Sequence, residues 1–310
     1  MHTIPRRTVL NGALGALAGL CVGSAPRRGR AQKALSVTKL DDGLAVVSGA
    51  GGNVLVLATQ TGRVLVDSGG AEHGDALMAV LGTLPGAEHP QTLFNTHWHL
   101  DQTGSNARLG RAGAKIIAHE KTRLHLATGY YLPEEDRYEP PLPKEAVPTR
   151  SFYTTDSMAG DGRRIDYGYL LEAHTDGDIY VYFRDANVIA VGDAVSPARD
   201  PELDWFGGGW LGGRVDSLKL LLDLSDSKTR FVPGYGPVVG RAEIQAEHDM
   251  MLKIFERMVE LVRKGDSAED IVAAGAMDDL GRKFDDPLKF VYAAHKSLWA
   301  HHNTLSPDIV

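Results

Sequence analysis

The stretch "NTHWHLDQTGSN", residues 95–106, decides how the rest of the chain is read. His97, His99 and Asp101 alternate with Trp98 and Leu100, so an extended backbone aims all three polar side chains at one face. Imidazoles and a carboxylate converging from so short a segment form a metal-ligand pattern. Gln102 follows directly, and its amide oxygen is a poor zinc donor beside an imidazole.

Outward from this cluster the chain is built of short β-type runs and helical patterns. "LAVVSG", "NVLVLAT" and "RVLVDSGG" precede it, separated by turns containing glycine. "AEHGDALMAVLGTL" reads as a helix, "TLFNTH" as a buried strand, "SNARLGRAG" as a short helix and "AKIIAHE" as a strand. Residues 129–149, rich in Pro and Tyr, are expected to form one long loop. A second β-rich half follows in "RIDYGYLLEAH", "DIYVYFRDANVIAVGDAV" and "TRFVPGYGP". Helical patterns from Arg241 to Lys264 and from Pro287 to His302 close the chain. Two β-rich halves mixed with helices predict stacked sheets covered by helices.

Five separated pieces place a polar group where a strand meets a loop. They are Asp67 in "VLVDSGG", the 97–102 cluster, His174 in "LEAHTDGD", Asp193 in "VIAVGDAV" and Tyr235 in "VPGYGPV". In order, spacing and flanking residues these pieces resemble the metallo-β-lactamase superfamily, and the likeness spans nearly the whole chain after its first residues. "YEPPLPKEAVPT" and "FVYAAHKSLW" also look like one branch of its metallo-hydrolases. Five motifs in order carry far more weight than any one of them.

The resemblance implies an α/β fold, an αββα sandwich of two mixed sheets with its metal site at one edge. It implies a first metal held by His97, His99 and His174, all present. Three neutral imidazoles that leave a fourth position for water are a catalytic zinc arrangement. The second-metal positions of the family correspond to Asp101, Gln102 and Tyr235, with Asp193 as the bridge between ions. Two histidines are thus replaced at the second site and none at the first. A tyrosine ligates only as phenolate, against an ordinary pKa of about 10. One zinc ion is therefore expected, with iron or manganese favoured wherever oxygen donors dominate. Asp101 is then expected as general base and Tyr235 as donor to a substrate oxygen. Asp67 is expected to hydrogen-bond the ligand loop, and His119 to stand no closer than behind the ligands.

Two aromatic loops are candidates to shape a pocket. "DWFGGGWLGG", residues 204–213, combines Trp205, Phe206 and Trp210 with five glycines, a composition that suits a mobile cover. Tyr130, Tyr131 and Tyr138 stand on the Pro-rich loop. Both groups either stack on an apolar substrate or pack their loops down.

The 310 residues, 43% of them hydrophobic, are enough for one large domain or two small ones. The amino terminus reads as a leader: Arg6 and Arg7 in "PRRTVLNG", a weakly apolar run from Gly12 to Ala25, and a small-residue cleavage site after Ala31. This order matches a twin-arginine signal peptide over residues 1–31, with a metallo-β-lactamase-like domain over 32–310. The apolar run falls short of the roughly 20 residues of a membrane span. The single cysteine, Cys21, lies in that leader, so the mature chain is expected to carry no disulfide and no thiolate ligand. The formal net charge is −7, and removal of residues 1–31 takes five arginines and no acids, leaving −12. An acidic body argues against nucleic acid or an anionic membrane as partner.

The expected function is a periplasmic or secreted metal-dependent hydrolase of a small molecule. Metal-bound hydroxide would attack the carbonyl of an ester, lactone or amide. Two other classes fit the same motifs. One is a non-hydrolytic metalloenzyme (a lyase, an isomerase or an iron-dependent oxygen enzyme), and the other is a binding protein that has lost catalysis.

Overall fold

Near-continuous apolar runs give the central strands Gly52–Ala58, Arg63–Val66, Ile179–Phe183 and Val188–Gly192 two apolar faces, and the computed structural model of the protein buries both. It describes residues 34–86, 90–132, 136–160 and 162–305, so the 1–31 leader lies outside the described residues. The first half runs through β1 (Ser36–Asp41), β2 (Leu44–Ala50), β3 (Gly52–Ala58), β4 (Arg63–Val66), α1 (Gly74–Thr83) and β5 (Pro90–Phe94). It continues with the single turn α2 (Leu100–Thr103), then α3 (Asn106–Arg111), β6 (Lys115–His119), α4 (Glu120–Thr128), β7 (Tyr130–Leu132), β8 (Arg137–Glu139) and β9 (Arg150–Phe152). The second half contains β10 (Thr155–Gly160), β11 (Arg163–Tyr169), β12 (Ile179–Phe183), β13 (Val188–Gly192), α5 (Leu211–Leu224), β14 (Arg230–Pro233) and β15 (Val239–Gly240). Helices α6 (Arg241–Lys264), α7 (Ala268–Ala273) and α8 (Pro287–Leu305) complete it.

The strands form a seven-stranded sheet, β1-β2-β3-β4-β5-β6-β9, and a six-stranded sheet, β10-β11-β12-β13-β14-β15. Each sheet mixes antiparallel hairpins with parallel pairs: β4, β5, β6 and β9 run parallel in the first, and β13 and β14 in the second. In β3, Leu55 and Leu57 face the other sheet, whereas Val54 and Val56 face α1 and α3. In β12, Ile179, Val181 and Phe183 point between the sheets, and Tyr180 and Tyr182 point to the layer of α5, α6, α7 and α8. The period of two thus fills three apolar layers, and the architecture is the expected αββα sandwich. Each fully buried Leu, Ile or Phe contributes about 1.5–3 kcal/mol to this packing.

Two segments differ from their sequence reading. Residues 129–149 are not one long loop, because β7 and β8 pair antiparallel as a small hairpin, with Tyr131 opposite Tyr138. The prolines flank these strands and leave their ladder intact. Helix α5 was hidden by the glycines at its start: Leu211, Val215, Leu218 and Leu222 are spaced for one helical face, and all are buried. No helix among the described residues is long and apolar enough to cross a membrane.

The β13–α5 connection carries two of the candidate groups, and it is held from beneath by a buried ion pair. Arg214 of α5 is fully buried and meets Glu247 of α6 at 2.9 Å. Its Nη groups also donate to the backbone oxygens of Asp193 and Glu202, both at 3.1 Å, and to Ser196 Oγ at 2.8 Å. Glu247 also accepts the backbone N–H of Ser196. Glu247→Ala leaves a buried guanidinium without its counter-charge, so a loss of about 3–5 kcal/mol is expected in urea unfolding at neutral pH. A loss below about 1 kcal/mol would contradict this role.

Candidate metal centre

Every candidate residue stands beyond the C-terminal end of a strand, where open α/β sheets place their ligands. Asp67 follows β4 with a left-handed backbone, φ 62°, and is nearly fully buried. Its carboxylate accepts the backbone N–H and the hydroxyl of Thr96, both at 2.8 Å. Asn95 and Asn106 exchange side-chain hydrogen bonds at 3.1 and 2.8 Å, and Ser68 Oγ donates to Asn106 Oδ1 at 2.9 Å. The loop after β5 therefore cannot continue as a strand. The His99 oxygen accepts from the backbone N–H of Gln102 and Thr103, and α2 begins. This corrects the extended reading of residues 97–101: a bend and a helical turn, not strand alternation, bring Asp101 and Gln102 back beside the histidines.

His97, His99 and His174 stand mutually edge-on, with ring centroids 4.8–5.0 Å apart and interplanar angles of 81–86°. One nitrogen from each lies within 4.8 Å of the other two. Burial pushes His97 and His174 well below the ordinary histidine range, helped by the charges of neighbouring imidazoles. Both rings are neutral, with free lone pairs. His97 Nε2 and both nitrogens of His174 have no hydrogen-bond partner among the described residues. Buried imidazole nitrogens are rarely left so, and a divalent ion satisfies this donor set.

The neighbours of these rings fix their orientation. Asp178 accepts the backbone N–H groups of His174 and Thr175 at 2.6 and 2.7 Å and lies 3.8 Å from His174 Nδ1. Asp204 Oδ2 lies 3.1 Å from His99 Nε2, leaving Nδ1 to face the cluster. Burial opposes a charge on His99, but the hydrogen bond and charge of Asp204 outweigh it and bring its pKa up to about 9.

The second-metal positions hold a different chemistry. Tyr235 donates its hydroxyl to Asp101 Oδ2 in a short hydrogen bond. Burial and the negative charge of Asp101 push the phenol far above its ordinary pKa, so it is a neutral donor. Asp101, despite burial that opposes its charge, is held below its ordinary value by the Tyr235 hydroxyl and by the positive charges of His99 and Arg199. Asp193 Oδ2 is 4.0 Å from His97 Nε2, and burial raises the Asp193 carboxyl to about 7. Arg199 reaches that same oxygen at 2.5 Å and lays its guanidinium 3.7 Å above the Tyr235 ring centre. Gln102 is fully buried and neither amide atom finds a partner among the described residues. A side chain at Gly52 would strike that amide at 2.2 Å, and one at Gly234 would meet Asp193 Oδ1 at 2.0 Å. The residues present fit one ion on three histidines, not the family's second ion.

A cleft of about 790 Å³ opens over His99 and Asp101, walled by Arg199, Asp204, Trp205, Phe206 and Tyr130. The loop that carries Trp205 is tied by backbone hydrogen bonds to the loop that carries His174. The backbone N–H of Asp204 donates to the His174 oxygen at 2.9 Å, and that of Asp176 donates to the Gly207 oxygen at 2.9 Å. A Cβ on Gly209 would lie 2.0 Å from the His174 oxygen, so glycine here serves close approach. Trp210 turns away from the cleft and stacks on His301 at 3.5 Å. Tyr131 and Tyr138 pack together, ring centres 5.1 Å apart.

Four residues with structural claims on the site were not singled out in the sequence. Asp204 and Asp178 are ordinary loop acids by sequence, and only the fold aims them at His99 and His174. Arg199 lies six residues past Asp193 with no motif around it. Asn53, next to Gly52, gives its backbone N–H to the Gly234 oxygen at 2.7 Å and its side-chain amide to the oxygens of Pro233 and Gly236, fixing the Tyr235 loop. His119 stands apart from the cluster, stacked on Tyr169 at 3.9 Å.

Comparison with known proteins agrees with the two-sheet fold. The family model described as Metallo-beta-lactamase superfamily matches residues 47–235. No curated protein matches the sequence. A metallo-beta-lactamase from Pontibacter korlensis is similar in structure with a TM-score of 0.56 and 20% identity, over 70% of this chain and 99% of its own. The stereoselective inverting sec-alkylsulfatase Pisa1 from Pseudomonas sp. is similar with a TM-score of 0.63 and 14% identity, over 87% of this chain. The present chain spans 50% of the length of that sulfatase. A double mutant of the same sulfatase gives 0.63 at 12% identity.

A proton on His99 competes with a metal ion, because only the neutral ring can ligate. In chelator competition the apparent affinity of the metal-free protein should rise about tenfold per pH unit below the His99 pKa and level off above it. That pKa is about 9 in the metal-free protein. Asp204→Asn removes the carboxylate that raises it, so the rise should end at lower pH. The lost contact should also weaken affinity about 10- to 100-fold at the plateau. A flat profile in the wild-type protein would contradict the Asp204–His99 coupling.

Proposed function

The chain belongs to the metallo-beta-lactamase superfamily, and from that premise we propose that it is an exported zinc-dependent hydrolase of a small ester, lactone or amide. The observation that carries the reading is the three-histidine cluster, with unpartnered nitrogens on His97 and His174, next to a cleft lined by His99 and Asp101, whose carboxylate accepts the Tyr235 hydroxyl. Export is supported by the paired Arg6 and Arg7, the apolar run and the small-residue site at Ala31. Arg6→Lys with Arg7→Lys should retain the precursor inside the cell, and unchanged export would contradict a twin-arginine route.

His97, His99 and His174 would hold the ion. When bound, a divalent ion there supplies Lewis acidity toward a substrate oxygen and lowers the pKa of water to about 7. Asp101 is held in its ionised form, and its Oδ1, not engaged by Tyr235, would take the proton of an attacking water. Tyr235 keeps its phenolic proton and can pass it to a leaving oxygen or nitrogen once substrate displaces the hydrogen bond to Asp101. Trp205, Phe206 and Tyr130 on the cleft wall suit a substrate with an apolar body.

The reading is tested with purified zinc-loaded protein against aryl and alkyl esters, lactones and amides, with alkyl sulfates added because of the sulfatase likeness. His97→Ala should lose both metal and turnover. Tyr235→Phe keeps the ring and removes only the hydroxyl, so kcat should fall about 10²- to 10⁴-fold with metal content unchanged. Full turnover by Tyr235→Phe on the best substrate would remove Tyr235 from the chemistry. Absence of turnover across the panel, with ligands bound tightly, would favour a binding protein instead.

A further inference from the structure

We infer that the guanidinium of Arg199 stands in for the second metal ion, so that this centre is built for one ion and one fixed organic cation. The inference rests on the three-histidine metal site proposed above and concerns what occupies the ground beside it. Four residues define that ground: Asp101, Gln102, Asp193 and Tyr235. Arg199 is the cation found among them. Its Nη2 lies 2.5 Å from Asp193 Oδ2, the carboxylate expected to bridge two ions. Its guanidinium carbon lies 3.7 Å above the centre of the Tyr235 ring, whose hydroxyl binds Asp101. One arginine therefore addresses both carboxylates, the first directly and the second through the phenol.

The loop that presents Arg199 is built for this and is not a free surface segment. Arg214 clamps the backbone oxygens of Asp193 and Glu202, which bracket Arg199 on either side, each at 3.1 Å. Arg282 donates to the backbone oxygen of Ser196 at 2.7 Å and to that of Arg199 itself. Asp193 is nearly fully buried, and an ionised carboxylate in that position needs a counter-charge. In a two-metal centre the ions supply it. Here a guanidinium does, and its positive charge repels a further divalent ion brought within a few ångströms. The replacement of two histidines by Gln102 and Tyr235 fits the same plan. A neutral amide and a neutral phenol add no charge, and the flat ring of Tyr235 gives the guanidinium a face to stack on.

The consequence is specific. Restoring histidines at 102 and 235 does not by itself recreate a second metal site, because the cation is still in place. The test is calorimetric zinc titration of metal-free protein together with elemental analysis after dialysis. It compares the wild-type protein, Gln102→His/Tyr235→His, and that double variant carrying either Arg199→Ala or Arg199→Gln. Circular dichroism and thermal unfolding identify which variants are folded, and two Arg199 replacements guard against failure of either one. One zinc is expected in the wild type and in the double variant, and two in the folded triple variants. Two zinc ions in the double variant with Arg199 intact would overturn the inference, as would one zinc in every folded triple variant. No zinc in the wild type would refute the three-histidine centre itself, and this inference with it. The two failures are thus distinguishable by the wild-type ratio alone.

Discussion

The paired hydrogen bonds from Thr96 to the Asp67 carboxylate, both 2.8 Å, are the interaction on which the centre depends. They turn the chain out of β5 at the point where a strand would otherwise carry His97 and His99 onward in line. Asp67 adopts a left-handed backbone to reach Thr96, a conformation that costs on the order of 1–3 kcal/mol and that surrounding contacts must offset. Those contacts are the Ser68–Asn95–Asn106 network and the α2 turn that starts from the His99 oxygen. Once the bend is set, the three imidazoles converge, and Asp101 and Gln102 face the loops that follow β13 and β14.

Burial then sets the chemistry. Taken out of water, His97 and His174 lose their protons and present lone pairs, while His99 keeps its proton because Asp204 holds it. The adjoining ground is acidic, with Asp101 and Asp193, and the fold answers with Arg199 and a protonated phenol. A centre with one exchangeable metal ion beside one covalently tethered cation differs from a two-ion clamp. Its charge on the tethered side does not vary with metal supply. Arg214 and Glu247, buried between α5 and α6, connect this polar arrangement to the apolar layer beneath the second sheet.

The sandwich was legible in the sequence because the near-continuous apolar runs in "NVLVLAT" and "DIYVYF" report strands buried on both faces, and five motifs in order carry the resemblance that implies the topology. The three histidines were legible for the same reason. What was not legible depended on contacts between segments distant in the chain. Asp204 is 105 residues from His99 and Tyr235 is 134 from Asp101, so neither partnership leaves a local pattern. Helix α5 was masked by glycines that allow close packing on the loop of Glu172, and the contacts of Gly207 and Gly209 with Asp176 and His174 leave no local pattern either. The hairpin of β7 and β8 was concealed by prolines that flank its strands.

The central claim is that three histidines hold one ion while Arg199 and Tyr235 fill the neighbouring ground. Anomalous diffraction at the zinc edge from crystals of the zinc-loaded protein tests it most directly, since it locates each ion as well as counting them. One strong peak is expected within ligand distance of His97 Nε2, His99 Nδ1 and His174, with the Arg199 guanidinium in density against Asp193. A second peak between Asp101 and Asp193, with Arg199 swung away, would contradict it.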